Sequence, residues 1–419
     1  MRILFVTNYY PPFSYGWGYM QLCEDVAEGL FDRGHDIAVL TSTHCDSDET
    51  VHPYPVHRLL RMDPDWYSGK SAAWQFFVGR RQRERRAVAH LRQLVGKFRP
   101  DVTFIWHYIG LPRVLLLEAE QMPDLTVAYY LAGYHPELPN EYIAYWKAQP
   151  IHWAARLLKR PLARVSLGML AREGKPLSPR YENVICVSKY VRHRLVSQGL
   201  ISANAVVIHN GVDLSCFSPD MQNGPGFASA GLRCLVAGAV KPEKGAHTVI
   251  EALARLRAGD GSREVTLTIL GDGPAAYLAY LQERASANCL QEVVEFRSTV
   301  PREQMPEVLT RYNTLILPSE YDEPLARAVQ EAMAMGLLVI GTTTGGSGEL
   351  LMHERTGLVF EPGNPESLAT QLSRALNEPE PAARLAEAGQ QAVREHFDIR
   401  HTIEQIEGYL LGLAESKRP

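Results

Sequence analysis

The chain has 419 residues, of which 46% are hydrophobic and 21% charged, and its formal net charge is −4. This length exceeds one ordinary hydrophobic core and the composition is that of a soluble globular protein, so we expect two domains. The near-neutral charge gives no global attraction to nucleic acid. No apolar run reaches the roughly 18 to 20 residues that span a bilayer.

The cysteines and the first residues indicate the compartment. The six cysteines have no paired spacing, which favours neither a disulfide framework nor a zinc site. The apolar run at residues 1–7 ends at Asn8 and is too short for a signal peptide. We therefore expect a cytoplasmic protein, with the inner face of the cell membrane as an alternative location.

Short apolar segments of strand character alternate with longer segments of helical period along the whole chain. In the first half the predicted strands are residues 3–6, 37–40, 102–106, 126–130 and 184–187. In the second half they are residues 233–237, 266–270, 293–296, 314–317 and 338–340. This alternation predicts one parallel sheet covered by helices in each half.

Between the two sets of strands, residues 217–231 are rich in Gly, Pro, Ser and Asn and have no apolar period. Such a segment is typical of an exposed connection between domains. We therefore predict an N-terminal domain over residues 1–214, a C-terminal domain over 215–395 and a terminal segment over 396–419. Ligands of such sheets bind beyond the carboxyl ends of the strands.

Residues 318–336 follow a predicted strand and open a helix. Pro324 suits a first helical turn and Gly336 a helix end, which predicts a helix over about 324–335. The N-terminus of such a helix suits a diphosphate. Glu331 lies among apolar residues, where ribose hydroxyls would satisfy a buried carboxylate. Taken alone, Glu323 and Glu331 also suit an acidic first turn and a solvated helix face.

Residues 238–245, Gly-Ala-Val-Lys-Pro-Glu-Lys-Gly, follow the first strand of the second half. Lys244 on this Gly-flanked turn is a candidate to place a point charge on phosphate oxygens. A loop lysine is more often simply solvated, so Lys244 acquires a function only together with the other segments.

Together these segments resemble family four of the retaining nucleotide-sugar glycosyltransferases, and the resemblance covers nearly the whole chain. Glu323 and Glu331 match the family's two glutamates separated by seven residues, and residues 242–245 match its Pro-Glu-Lys-Gly turn. Further matches occur in order along the chain at residues 2–7, 9–18, 33–35, 187–188, 210–213, 271–274, 345–346 and 356–359.

The resemblance implies an α/β fold of the glycosyltransferase B type, with two Rossmann-like domains facing across a cleft. A last helix at about 396–415 would return to the first domain. The implied reaction is transfer of a sugar, with retention, from a nucleoside diphosphate to an acceptor hydroxyl in cell-envelope polysaccharide, glycolipid or natural-product assembly. No metal or cofactor is expected. The Asp-x-Asp strings at 46–48 and 63–65 could suggest a metal site. They lie, however, in turn-like segments of the N-terminal half, away from the expected donor site.

The resemblance also implies roles for individual residues on the donor side. Lys244 would bind the donor diphosphate, Glu331 the ribose and Glu323 the hydroxyls of the transferred sugar. Gly16 would allow the backbone to approach the donor phosphate. Lys244 and the helix N-terminus would stabilise the charge that develops on the leaving diphosphate.

The chain departs from the family pattern at the donor site. Ala239 stands where family members commonly carry a second diphosphate-binding arginine, and Lys241 and Arg327 are candidates to replace it. The usual Gly-Phe-Gly is here Pro-Leu-Ala, which keeps backbone donors at Leu325 and Ala326.

A second departure concerns the family's histidine near the reacting sugar. Leu131 occupies its position in our register, and His135 or His107 is the candidate replacement. A lone histidine is more often structural.

The expected acceptor is a carbohydrate, a lipid-linked molecule or a small molecule. Basic and apolar residues are mixed at 74–86 and 153–164, which suits contact with an anionic membrane or an ordinary solvated helix face. Tyrosines and a tryptophan at 129–146 suit stacking on sugars or core packing.

Two other functions were weighed against transfer. A nucleotide-sugar 2-epimerase shares the fold and needs no acceptor. A non-catalytic partner subunit would explain Ala239 and Leu131. The combination of Lys244, Glu323 and Glu331 favours the transferase.

Overall fold

The computed structural model describes residues 1–13, 17–46, 52–149, 153–173, 179–218, 231–259 and 265–416. These residues form two compact units. The first contains Met1–Val187, Val191–Ile208 and the chain from Ile403 onward, and the second contains Ser188–Tyr190 and His209–Thr402. Most of the connection predicted at 217–231 lies outside the described residues.

The sheet of the first unit has seven described strands, all paired in parallel. They are β1 (Arg2–Val6), β2 (Asp36–Ser42), β3 (Val56–Leu60), β4 (Val102–Ile105), β5 (Val127–Leu131), β6 (Val184–Cys186) and β7 (Val206–Val207). Their order across the sheet is β3-β2-β1-β4-β5-β6-β7. The order therefore reverses between β1 and β4, as in a Rossmann-like sheet.

The helices that precede the second sheet alternate with these strands. They are α1 (Trp17–Asp32), α2 (Ala72–Phe77), α3 (Arg80–Phe98), α4 (Val114–Gln121), α5 (Glu141–Lys147), α6 (Trp153–Arg172) and α7 (Lys189–Ser197). The side chains of Leu4 and Phe5 on β1 are fully buried. A central parallel strand is covered on both faces, which explains its unbroken apolar sequence.

The second unit repeats the plan with six described strands. They are β8 (Leu232–Ala237), β9 (Val265–Leu270), β10 (Val294–Arg297), β11 (Thr314–Leu317), β12 (Leu338–Gly341) and β13 (Leu358–Val359). Their order is β10-β9-β8-β11-β12-β13, with the reversal between β8 and β11. The helices are α8 (Ala246–Gly259), α9 (Ala275–Ala287), α10 (Met305–Leu309), α11 (Arg327–Ala334), α12 (Pro365–Asn377), α13 (Pro379–His396) and α14 (Ile399–Glu415).

Helix α14 starts in the second unit and belongs to the first from Ile403 onward. Within the first unit, Glu407 accepts hydrogen bonds from Arg33 Nε at 2.6 Å and pairs with His35 Nε2 at 2.7 Å. The Ile403 side chain fills the space beside Gly29 of α1, where a Cβ atom would collide with it. Residues 33–35, the Arg-Gly-His segment, thus hold the C-terminal part of α14 in place.

The predicted α/β class with two parallel sheets is confirmed, and every predicted strand is present. The sequence pattern did not predict β3, β7 and β13, which are all edge strands. Edge strands are short or partly polar, because one of their sides has no neighbouring strand. Among the described residues, no helix combines the length and the apolar character needed to cross a membrane.

Candidate active site

A cavity of about 140 Å³ lies at the carboxyl edge of the second sheet. It is lined by residues 236–240, Lys244, Ala246, residues 316–319, Glu323 and residues 326–328. These residues follow β8 and β11, the two strands between which the order of the sheet reverses. Open α/β sheets bind their ligands at this position, because loops and helix N-termini converge there.

The turn that carries Lys244 is held against the end of β11. Lys244 ends a short 3-10 turn, and Gly245 after it adopts a left-handed φ of 73°. A Cβ atom at Gly245 would collide with the carbonyl oxygen of Pro318. Glu320 N donates to the carbonyl of Glu243 at 3.0 Å. Both the backbone conformation and the close approach therefore require glycine here.

Lys244 and Glu323 meet within this cavity. The distance from Lys244 Nζ to Glu323 Oε1 is 2.5 Å, and Glu323 is only 8% exposed. The ammonium also lies 5.1 Å from the centre of the Tyr321 ring. An ammonium carries three protons, so its bond to Glu323 still leaves donors for a second acceptor. The pair can bind an anion on its cationic side and hydroxyl groups on its carboxylate side.

The helix predicted over 324–335 is shorter in the structure, where α11 begins at Arg327. Ala326 has extended backbone angles, and the Glu323 carbonyl accepts a hydrogen bond of 2.6 Å from Gly346 N. A Cβ atom at Gly345 would collide with that same carbonyl. Residues 323–326 therefore pack on Gly345 and Gly346, and Pro324 lies before the helix rather than in its first turn.

Arg327, in the first turn of α11, is the second cation at the cavity. It lines the cavity, whereas Lys241 is exposed and is not among the lining residues. Arg327 Nε lies 3.9 Å from Glu331 Oε1, and both side chains are more than four-fifths buried. Ala326 also lines the cavity, whereas Leu325 and Glu331 do not. The structure thus brings Lys244, Glu323, Ala326 and Arg327 together and places Glu331 one turn behind them.

Sequence reasoning missed Gln330, which is fully buried beside Glu331. Its side chain donates to the Asn210 carbonyl at 2.6 Å and accepts from Asn210 Nδ2 at 2.9 Å. Two features of the sequence could have indicated this contact: a glutamine among apolar helix positions, and the Asn-Gly-Val-Asp motif at residues 210–213. This reciprocal pair fixes α11 against the segment that enters the second unit.

His135 lies in the first unit, in a short 3-10 turn after β5, and is 8% exposed. Its ring centre is 4.2 Å from that of His107, and Tyr19 stacks on His107 at 3.8 Å. Burial lowers the pKa of His135 to about 4. Burial and the neighbouring His135 hold the pKa of His107 well below its usual value. Both histidines are therefore neutral at physiological pH.

Most of the remaining candidate residues from the sequence lie outside the described residues or are buried. Gly16 and residues 47–48 of the first Asp-x-Asp string lie outside the described residues. Asp63 of the second string is buried, with its Oδ1 2.8 Å from Arg83 Nη2 and 2.5 Å from the Tyr142 hydroxyl. Leu131 is a fully buried residue of β5. Five aromatic residues considered for sugar stacking are buried core residues: Tyr129, Tyr130, Tyr134, Tyr142 and Trp146.

Two family models match consecutive parts of the chain. The model described as glycosyl transferases group 1 matches residues 221–392, and the model described as glycosyltransferase family 4 matches residues 21–215. The chain belongs to the group 1 glycosyltransferases. The first match includes the whole cavity, and both matches agree with the resemblance that the motifs carry.

Two curated relatives illustrate the range of this family. A glycogen synthase of Mycobacterium tuberculosis is 28% identical over 413 residues, which are 95% of this chain and 91% of that protein. A GDP-mannose-dependent alpha-(1-6)-phosphatidylinositol monomannoside mannosyltransferase of Mycolicibacterium smegmatis is 27% identical over 270 residues, 62% of this chain and 68% of that protein.

Solved structures share the fold over nearly the full length. The sucrose-phosphate synthase of Thermosynechococcus elongatus has a TM-score of 0.73 at 18% identity, covering 99% of this chain and 100% of that one. An Anabaena protein in complex with UDP and glucose has a TM-score of 0.69 at 18% identity, covering 98% and 100%. The glycosyltransferase B type of fold is confirmed. The family models and the curated relatives show that the protein is a glycosyltransferase, and they give no support to the epimerase or the non-catalytic subunit.

Proposed function

We propose that this glycosyltransferase binds a nucleoside diphosphate sugar in the cavity between β8 and β11, with Lys244 on the diphosphate. The ion pair of Lys244 and Glu323 inside that cavity carries the proposal. Glu331, one turn deeper on α11 and largely buried, binds the ribose hydroxyls, which is the role that the family resemblance implies. Backbone groups of Leu325 and Ala326 contact the same donor.

Donor binding changes the environment of the ion pair. A diphosphate competes with Glu323 for the ammonium of Lys244, because both are anions. As Lys244 turns toward the diphosphate, the Glu323 carboxylate becomes an acceptor for hydroxyls of the transferred sugar. Arg327 and the first turn of α11 add positive charge on the same side of the cavity.

Catalysis then rests on stabilisation of the leaving diphosphate. Lys244 and the α11 N-terminus are positioned before the reaction, which makes this the largest contribution to lowering the barrier. A leaving-phosphate oxygen takes the proton of the acceptor hydroxyl, and the sugar is transferred with retention. We assign no metal and no cofactor to this step.

The first unit supplies the acceptor side. His135 is neutral and buried, so it serves as a hydrogen-bonding group toward the sugar rather than as a cation. The resemblance implies a histidine near the reacting sugar, and His135 is the candidate to replace it because Leu131 occupies the family's position. Gly16 lies outside the described residues, and its contact with the donor phosphate stays a prediction.

We favour a lipid-linked acceptor at the inner face of an anionic membrane over a free carbohydrate or a small molecule. Helix α6 carries no acidic residue and exposes apolar side chains to solvent. These are Leu157 at 62%, Leu162 at 44%, Val165 at 56% and Met169 at 37%. Arg156, Arg160 and Arg164 are exposed on the same helix. Apolar side chains flanked by cations suit a surface of anionic lipids, and one relative is named for a lipid acceptor.

Isothermal titration with UDP, GDP and ADP in the absence of metal tests the donor site. We expect micromolar binding of one nucleotide, weakened about tenfold or more in Lys244→Ala and Glu331→Ala, which corresponds to about 1.4 kcal/mol. Lys241→Ala is the matched control, since this exposed lysine of the same turn lies outside the cavity lining. Absence of binding by the wild type, or an equal loss in the control, would refute the donor site.

A further inference from the structure

Three potential metal ligands converge in the first unit, on residues to which the proposed sugar transfer assigns no role. Glu24 and Glu28 lie one turn apart on α1, and His52 lies shortly before β3. His52 Nδ1 is 3.7 Å from Glu24 Oε1 and 3.8 Å from Glu28 Oε1. One ligand atom from each residue lies within 4.8 Å of the other two.

The hydrogen bonding of His52 determines which ring nitrogen faces the carboxylates. Its Nε2 lies 3.0 Å from the carbonyl oxygen of Pro11. A carbonyl only accepts, so Nε2 carries a proton and a neutral ring has its lone pair at Nδ1. Among the described residues, the buried Nδ1 has no hydrogen-bond partner. The buried Nδ1 of His52 thus faces two carboxylate oxygens at 3.7 and 3.8 Å, and a cation between them would stabilise this arrangement.

The surroundings hold this ring in place. The His52 side chain is 4% exposed. Tyr54 stacks on it with ring centres 5.6 Å apart, and Tyr10 packs at 5.1 Å. The two tyrosine hydroxyls hydrogen-bond to each other at 2.7 Å. A histidine whose second nitrogen donates to a backbone carbonyl has the arrangement that commonly orients metal ligands.

We propose that Glu24, Glu28 and His52 bind one divalent transition-metal ion, with Zn²⁺ as the best match to the ligands. Zn²⁺ accepts both imidazole nitrogens and carboxylate oxygens as ligands, with bonds of about 2.0 to 2.2 Å. At a tetrahedral angle such bonds place ligand atoms roughly 3.4 Å apart. The two separations between His52 Nδ1 and the carboxylate oxygens are a few tenths of an ångström wider, and Glu28, whose side chain is 49% exposed, has room to move inward.

The proposed ion has three protein ligands, which leaves a fourth coordination position open. It links α1 to the segment that leads into β3, and none of its three ligands lines the donor cavity. The cysteine pattern could not reveal such a site, because no cysteine takes part in it. The proposal revises the sequence-based expectation that the protein holds no metal.

Zinc titration of the full chain, after treatment with EDTA and dialysis, tests the proposal. We expect one Zn²⁺ per chain by calorimetry and elemental analysis, and a higher Tm with zinc than without it. Glu28→Gln and His52→Gln are expected to weaken zinc binding tenfold or more and to remove the rise in Tm. His353→Ala is the matched control, because this exposed histidine stands 3.9 Å from Glu354 at an unrelated place.

A second readout separates a bound metal from a simple ion pair of protonated His52 with the two glutamates. Co²⁺ in place of zinc is expected to give ligand-field absorption in the wild type and in His353→Ala, but not in Glu28→Gln. Should His52→Gln fail to fold by circular dichroism, Glu24→Gln and Glu28→Gln carry the test. Binding below one equivalent in the wild type, or unchanged binding in the glutamine variants, would overturn the proposal. Nucleotide binding is measured on the same samples, so a failed zinc site is distinguished from a failed donor site.

Discussion

The Lys244 ammonium lies 2.5 Å from a Glu323 carboxylate oxygen, although 79 positions separate the two residues in the chain. The contact joins the turn after β8 to the segment after β11, the two neighbouring strands at which the sheet reverses its order. The contact therefore depends on strand order as much as on the two residues. It places a cation and a hydrogen-bond acceptor in the cavity that we propose as the donor site.

Removing the cation should destabilise the second unit. In Lys244→Ala, Glu323 remains as a largely buried carboxylate without its partner. We expect the free energy of unfolding to fall by about 1 to 2 kcal/mol, as measured by urea denaturation. The double variant Lys244→Ala/Glu323→Gln should lose less than the sum of the single variants. Strictly additive losses would show that the contact contributes nothing.

Gly245→Ala should disrupt the same turn through the backbone. Its φ of 73° and the collision of a Cβ atom with Pro318 both oppose any side chain. We expect a loss of about 2 kcal/mol or more in urea denaturation, accompanied by weaker nucleotide binding. Gly412→Ala on α14, where a Cβ atom meets nothing within 4 Å, should keep or slightly raise stability. Similar behaviour of the two variants would contradict this account.

Gln330→Leu tests the buried amide pair. The change leaves Asn210 Nδ2 without the acceptor that it has at 2.9 Å. An unsatisfied buried donor costs about 1 to 3 kcal/mol, which should appear in chemical denaturation. Gln391→Leu on the exposed face of α13 is the control and should change stability little. An equal effect of the two substitutions would exclude a special role for the pair.

Because His107 and His135 are buried, we expect the free energy of unfolding to decrease in acid. His135 has a native pKa of about 4 against an ordinary value of 6.5. Between these pH values the unfolded chain binds the proton more readily, so stability falls as pH is lowered through this window, by up to roughly 3 kcal/mol. Urea denaturation at several pH values measures the slope. His135→Gln should reduce it, leaving the part due to His107, whereas exposed His353→Ala should retain the wild-type slope. An unchanged slope in His135→Gln would refute the assignment.

The membrane proposal predicts co-sedimentation with vesicles that contain anionic phospholipid at low salt. Binding should weaken as salt is raised, because charge attraction contributes to it. Arg160→Glu/Arg164→Glu on α6 should abolish most of the binding. Arg384→Glu/Arg394→Glu makes the same charge change on the exposed face of α13 and should retain it. Absence of wild-type binding, or equal losses in the two double variants, would argue decisively against this surface.

The sequence alone predicted the features that depend on residues close together in the chain. Unbroken apolar runs such as residues 314–317 predict buried parallel strands, because both faces of such strands are covered. The turn ending at Gly245 and the adjacent Lys244 could be recognised because a left-handed residue favours glycine. The apolar surroundings of Glu331 suggested a partner with hydroxyl groups, and the family resemblance added the predicted role of Glu323.

Tertiary structure decided what depends on residues far apart in the chain. Pro324 suggested a helix start, but the Glu323 carbonyl instead accepts from Gly346, and α11 begins at Arg327. No sequence pattern indicates that Gln330 pairs with Asn210 or that His52 meets Glu24 and Glu28, although the two glutamates have the spacing of one helical turn. Local patterns report which face of an element is buried, whereas the partner of a polar group is set by strand order and packing, which a linear pattern does not encode.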